Sequence, residues 1–157
     1  MKIEVKNLKK DFNKIFAVDD ISFTIEKNKT IGLLGPNGCG KTTSIGMMLG
    51  LIKPTSGSIL IDSQDINKID KYSLLAKMNF ASPYIELPKK LSVKQNLEIY
   101  ARLYGVNNFN ERISEISNNL GLDSFLNKQT GELSSGQKNR VSLAKSLINK
   151  PEVLFLD

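Results

Sequence analysis

The sequence predicts an α/β protein with a helical insertion near residues 85–135. Three observations predict it. Residues 1–34 and 58–62 carry strand patterns, separated by a glycine-rich stretch at 35–40 and a helical spacing after Lys41. From about residue 92 the apolar spacing becomes helical. At Val153-Leu154-Phe155-Leu156 the pattern returns to strand.

Each element has its own signals. Ile3 and Val5 alternate, and so do Ile21, Phe23 and Ile25, so both stretches read as strands. Thr30-Ile31-Gly32-Leu33-Leu34 reads as a short buried strand running into the glycines. After Lys41 the spacing of Ile45, Met48, Leu49 and Ile52 is helical, with Pro54 and Gly57 as the stop. Ser58 to Asp62 is another strand. Ser92 and Gln95 form a capping box. Behind it Val93, Leu97, Tyr100, Ala101 and Tyr104 share a helix face, and Gly105 is its C-cap. A second helix starts at Asn110, with Ile113, Ile116 and Leu120 on one side and Gly121 as its stop. A third begins at Ser134 or Ser135, carries Val141, Ala144, Leu147 and Ile148, and is stopped by Pro151. Val153 to Leu156 closes the pattern as a buried strand.

Composition sets limits. The chain has 157 residues, the size of one domain, and at 40% hydrophobic and 24% charged it is neither disordered nor fibrous. The single cysteine, Cys39, excludes an internal disulfide framework, and no CxxC pair offers a zinc site. With no histidine, mechanisms that need an imidazole base or ligand are excluded. The net charge of +6 fits either solvated lysines or binding to polyanions: nucleotide phosphates, nucleic acid or an anionic membrane face. No run of five like charges indicates a nucleic-acid arm, and no nucleic-acid partner is expected. The N-terminus lacks the apolar stretch of a signal peptide, and the longest apolar runs are too short to span a bilayer. A cytosolic protein able to dock on a membrane protein is expected.

The most informative segment is Gly35-Pro36-Asn37-Gly38-Cys39-Gly40-Lys41-Thr42-Thr43, which matches G-x-x-x-x-G-K-[ST] between a strand pattern and a helical one. Glycines let backbone N–H groups approach phosphate without side-chain clash. The helix starting at Lys41 directs its positive dipole end at the anion. Lys41 supplies a point charge for the β- and γ-phosphates, and the Thr42 hydroxyl is a hard oxygen ligand suited to Mg²⁺. The motif points to a nucleoside triphosphate without saying which family reads it.

Two later segments bear on that question. Leu133-Ser134-Ser135-Gly136-Gln137 resembles the signature motif of ATP-binding-cassette (ABC) ATPases, and Lys138 to Leu147 resembles its continuation. Pro151 to Asp157 resembles the family's Walker B strand and its Asp. The resemblance covers the whole chain in order and spacing. It implies a P-loop NTPase core with an N-terminal antiparallel β part and a helical subdomain, divided as 1–84, 85–135 and 136–157, with the last part of the core missing. It implies ATP and Mg²⁺ as ligands. Phe12 falls at the family's adenine-stacking aromatic, the reading preferred over that of a core Phe beside an N-terminal strand. Asp157 would hold Mg²⁺ through water, and a buried Asp ending an apolar strand supports a metal-facing role. Ser134, Ser135, Gly136 and Gln137 would cap the γ-phosphate bound by a second subunit in a head-to-tail dimer.

Departures from the pattern carry their own expectations. Ser135 replaces the commoner Gly of the signature and keeps the backbone N–H. The family's Q-loop glutamine should fall at Ser82 or Pro83, where none stands, and Gln95 lies too far on. Ser82 offers only a hydroxyl in its place. The glutamate and switch histidine that follow the Walker B Asp in the family are absent, so no catalytic set is complete. The chain therefore reads as the front part of a larger cassette, or as a degenerate open reading frame, and the 157 residues are expected to bind without turning over.

Cys39 either fills a small-residue position or presents a thiol inside the loop. Maleimide labelling is expected to block nucleotide binding, and ATP to protect. Unchanged binding after complete labelling would refute this.

The function implied by the resemblance is the ATP-binding subunit of an ABC transporter, peripheral at the inner face of the membrane and working with a separate permease. Leu91 to Leu97 and Tyr100 to Gly105 are similar to the multidrug and polysaccharide exporter branch. The alternatives are a non-transport ABC protein acting on ribosome or DNA, and a degenerate nucleotide-binding module.

Overall fold

The computed structural model describes residues 1–68, 71–82 and 87–157. Two compact units, Met1–Leu75 and Ala76–Asp157, make up the chain, and each is taken by itself.

The first unit is built on a four-stranded antiparallel sheet, the arrangement expected of the N-terminal β part. Strands β1 (Ile3–Phe12) and β2 (Ile15–Ile25) form a hairpin, with Ile3 opposite Ile25 and Phe12 opposite Ile15. The two-residue turn, Asn13 and Lys14, has positive φ at both positions (52° and 70°), which matches the right-handed twist of the strands. Strand β3 (Ser56–Ile61) pairs along the other edge of β1, and the short β4 (Gln64–Asp65) pairs with β3.

The inward face of β1 runs Ile3, Val5, then Leu8. The change of parity comes from a bulge: between Val5 and Leu8, β1 advances three residues while β2 advances two, from Phe23 to Ile21. Asn7 sits there at φ 46°, its amide donating to Asp20 Oδ1 (3.1 Å) and its backbone N–H to Ser22 Oγ (2.8 Å). Helix α1 (Lys41–Met48) buries Ile45, Met47 and Met48. It ends earlier than the apolar spacing predicts. Gly50 adopts φ 67°, and the N–H groups of Leu51 and Ile52 turn back to the Gly46 carbonyl, so the stop lies before Pro54. The short α2 (Lys71–Leu75) closes the unit.

One expected strand does not form. Residues 30–34 adopt no regular structure, and Leu34 is 95% exposed. A strand exists by pairing its N–H and C=O groups with a neighbour, and none of the strands among the described residues pairs with this segment.

The second unit is helical around a parallel pair of strands, β5 (Met78–Ala81) and β6 (Val153–Leu156), in register Met78 to Val153 through Ala81 to Leu156. Helices α3 (Val93–Leu103), α4 (Phe109–Leu120) and α5 (Ser135–Leu147) enclose one apolar cluster. Most of the predicted faces are buried: Val93, Leu97 and Ala101 from α3, Ile113 and Ile116 from α4, Val141 and Ala144 from α5, with Ile148 just beyond. Tyr104, expected on the α3 face, is exposed because the helix ends at Leu103. The signals at the helix ends also act as expected. Ser92 Oγ accepts from the Gln95 N–H (3.1 Å) while Gln95 Oε1 accepts from the Ser92 N–H (2.8 Å). Gly121 caps α4 at φ 61°. Replacing Ser92 by Ala removes the cap acceptor, and chemical denaturation is expected to show a loss of about 1 kcal/mol.

Three buried polar residues organise this unit. The Asn96 amide donates to the Ser92 (3.1 Å) and Pro88 (3.3 Å) carbonyls, and Thr130 Oγ1 donates to the Pro88 carbonyl (2.7 Å), fixing the loop before α3. Lys145, 8% exposed, lays its ammonium 4.8 Å from the Tyr100 ring centroid, and burial holds its pKa below the ordinary lysine value. The closing strand is less enclosed than its sequence predicts. Phe155 alone is buried and Leu156 is largely exposed, because β6 has one neighbour, β5, among the described strands.

Candidate phosphate-binding site

The glycine-rich loop takes its shape from three local constraints. Gly38 adopts φ 83° and Gly40 φ 90°, conformations that side chains disfavour. Gly40 is also jammed against β2: a Cβ there would strike the Ala17 carbonyl oxygen and stand 2.9 Å from Val18 Cγ2. The Cys39 N–H turns back to the Pro36 carbonyl (3.3 Å). The Ser44 N–H then bonds the Gly40 carbonyl (2.8 Å) and starts α1.

Lys41 is the first residue of that helix. Its ammonium folds back over the loop and donates to the carbonyls of Gly35 and Pro36, each at 2.8 Å, with Cys39 Sγ at 3.8 Å. The loop thus wraps a cation at a helix N-terminus whose first turn holds no acidic residue. The two positive contributions, ammonium and helix dipole, are not offset locally. Gly35, Pro36, Asn37, Gly38, Cys39 and Thr42 are all exposed, and Thr43 is half-buried.

The same unit carries Phe12, 48% exposed at the hairpin tip. It does not join the core. Its cross-strand partner Ile15 is two residues from Ala17, the residue that backs Gly40, so hairpin and loop meet through β2. Reading the sequence alone missed two participants here. Ala17 carried no signal. Lys10 did carry one: it stands two residues before Phe12 on the same strand, and its ammonium lies 4.7 Å from the Phe12 centroid.

The remaining predicted residues belong to the second unit. Ser134 is the N-cap of α5: its Oγ accepts from the Gln137 N–H (3.3 Å), and Gln137 Oε1 accepts from the Ser134 N–H (2.9 Å). Gln137 is therefore turned onto its own helix, while Ser134, Ser135 and Gly136 are exposed at its start. Asp157 was expected to be buried and is exposed instead, with its N–H bonded to the Ala81 carbonyl (3.1 Å). It lies just past the end of β6, beyond the ladder that would enclose it. Ser82 is buried. Pro83, the other expected Q-loop position, lies outside the described residues. Among the described residues no group of three or more Cys, Asp or Glu is placed to hold a metal ion.

A glycine-rich loop, a lysine folded over it and a helix N-terminus behind it are the features of a P-loop fold. Comparison with known proteins carries this to a family. The ABC transporter family matches residues 18–157, and the chain belongs to it. A protein of Escherichia coli (strain K12) described as "Probable multidrug ABC transporter ATP-binding protein YbhF" is 39% identical over 157 residues, covering 99% of this chain and 27% of that protein. The zinc import ATP-binding protein ZnuC of Rickettsia conorii is 35% identical, over 99% of this chain and 61% of its own length. The solved structure of cbiO1 from Clostridium perfringens, part of the ABC transporter complex cbiONQ, superposes with a TM-score of 0.87. It is 28% identical and is matched over 99% of this chain and 64% of its own. The chain thus spans from about a quarter to three-fifths of these curated relatives. The α/β architecture is that of ABC ATPase domains.

Proposed function

We propose that this chain binds ATP with Mg²⁺ as the ATP-binding subunit of an ABC transporter, in which ATP binding and hydrolysis drive a separate membrane permease. The observation that carries the reading is the phosphate loop: Lys41 already sits over the loop at the start of α1, held by the Gly35 and Pro36 carbonyls. An incoming triphosphate would replace those carbonyls as the partner of the ammonium. Phe12, exposed at the hairpin tip, offers a ring face for adenine.

Mg²⁺ binds through one or two protein oxygens together with substrate phosphates, and a threonine hydroxyl and an aspartate carboxylate are each oxygen donors of that kind. Thr42 and Asp157 are the residues that would hold it. When bound, the ion would neutralise charge on the β- and γ-phosphates.

Ser134, Ser135, Gly136 and Gln137 are assigned to the nucleotide of a second subunit in a head-to-tail dimer. The Ser134 hydroxyl accepts one bond from its own helix and retains its proton to donate to an anion. We assign residues 1–84 to the nucleotide-binding core with its β part, 85–135 to a helical subdomain and 136–157 to the signature helix and Walker B strand. Among the described residues no helix is long and apolar enough to cross a membrane; we assign the chain a peripheral position at the inner membrane face, against the permease.

Calorimetric titration with Mg²⁺ and ATP, beside a phosphate-release assay, tests the reading. Saturable binding at one site per chain is expected. No binding at millimolar ATP, with the chain folded by circular dichroism, would refute it.

A further inference from the structure

We propose that Lys10 is a positioning residue for the nucleotide base: its ammonium covers one face of the Phe12 ring and ties the hairpin tip to the segment leaving α1. The opposite ring face is thereby presented to the purine. The inference rests on the reading of Phe12 as the base platform.

The geometry is specific to this hairpin. Lys10 Nζ lies 4.7 Å from the Phe12 centroid and donates to the Lys53 carbonyl at 2.9 Å. Two neighbouring bonds join the same segments: the Asp11 N–H donates to Thr55 Oγ1 (3.0 Å), and the Thr55 N–H donates to the Lys9 carbonyl (2.9 Å). Residues 53–55 follow the end of α1, the helix that begins with Lys41. The aromatic platform is therefore linked to the phosphate loop twice, through Ala17 against Gly40 and through Lys10 on Lys53.

An exposed phenylalanine samples several rotamers, and a ligand that needs one of them must freeze it. A cation above the ring favours the rotamer beneath it, and the bond to a backbone carbonyl fixes where that cation stands. Lys10 thus orders the platform before the base arrives, on the side the base does not use.

The test compares Mg-ATP with inorganic tripolyphosphate, which offers the phosphates without a base. Lys10→Met keeps the aliphatic stem and removes the ammonium. It is expected to weaken ATP binding roughly three- to tenfold and to leave tripolyphosphate unchanged. Lys10→Arg is expected to restore ATP affinity to within about twofold of the parent. In a Phe12→Ala background, Lys10→Met should have no further effect. Equal loss for both ligands would make Lys10 a general electrostatic attractor and overturn the proposal. So would an unchanged ATP affinity in Lys10→Met, or additivity with Phe12→Ala. If Phe12→Ala alone leaves ATP affinity intact, the platform reading itself falls, and the proposal with it.

Discussion

Replacing Lys41 by Met is expected to lower ATP affinity by at least about a hundredfold, about 2.8 kcal/mol, while barely changing the stability of the ligand-free chain. The separation follows from where the ammonium is bonded. Its two partners, the Gly35 and Pro36 carbonyls, belong to exposed residues, so water can take the place of the lysine when it is removed. A triphosphate has no such substitute. Its terminal oxygens gather several negative charges in a loop whose other donors are neutral N–H groups, and the loss of one charge-assisted bond is felt at full strength. Titration of ATP into Lys41→Met, with a thermal melt of the free protein, gives both numbers. A melt shifted as strongly as the affinity would show that Lys41 holds the loop together rather than the ligand.

Gly40→Ala is expected to fail in the other way, losing stability and binding together. A non-glycine residue at φ 90° is strained, and the new Cβ meets a backbone carbonyl, Ala17, that cannot rotate aside without opening β2. The expected loss of unfolding stability is about 2–4 kcal/mol, with ATP affinity falling as the loop is displaced from α1. Gly38→Ala is the matched control. Its φ of 83° is equally unfavourable, but a Cβ there meets no atom within 4 Å, so only the conformational strain remains. If the two substitutions cost the same, the contact with Ala17 carries no weight.

What could be read from the residues was governed by how local the signal was. The capping box of Ser92 with Gln95 involves groups three residues apart, and the structure forms it. The like box of Ser134 with Gln137 is passed over when those residues are read only as part of a motif. The helical core followed from spacing because α3, α4 and α5 each bury one face. The phosphate loop was legible for the same reason, its glycines and lysine being contiguous. Two of the misreadings concern groups that need distant partners. Residues 30–34 have strand composition but no neighbour among the described strands, and Asp157 ends an apolar run that is not enclosed. The backing of Gly40 by Ala17 joins positions far apart in the chain, so no pattern near either residue announced it.

The slips in β1–β2 pairing have a consequence for how the hairpin tip can change over time. Register shifts fall between Val5 and Leu8, between Leu8 and Lys10, and between Lys10 and Asp11. Each acts like a frameshift in the in–out alternation of the strands. Ile3 and Val5 lie on the near side of all three, and Phe12 on the far side. Adding or removing one residue beyond Leu8 would therefore turn the tip to a new bearing, with Val18, the buried residue opposite Lys10, to be re-seated. The tip is in effect on a separately geared shaft, braced by Lys10 on Lys53 and Asp11 on Thr55.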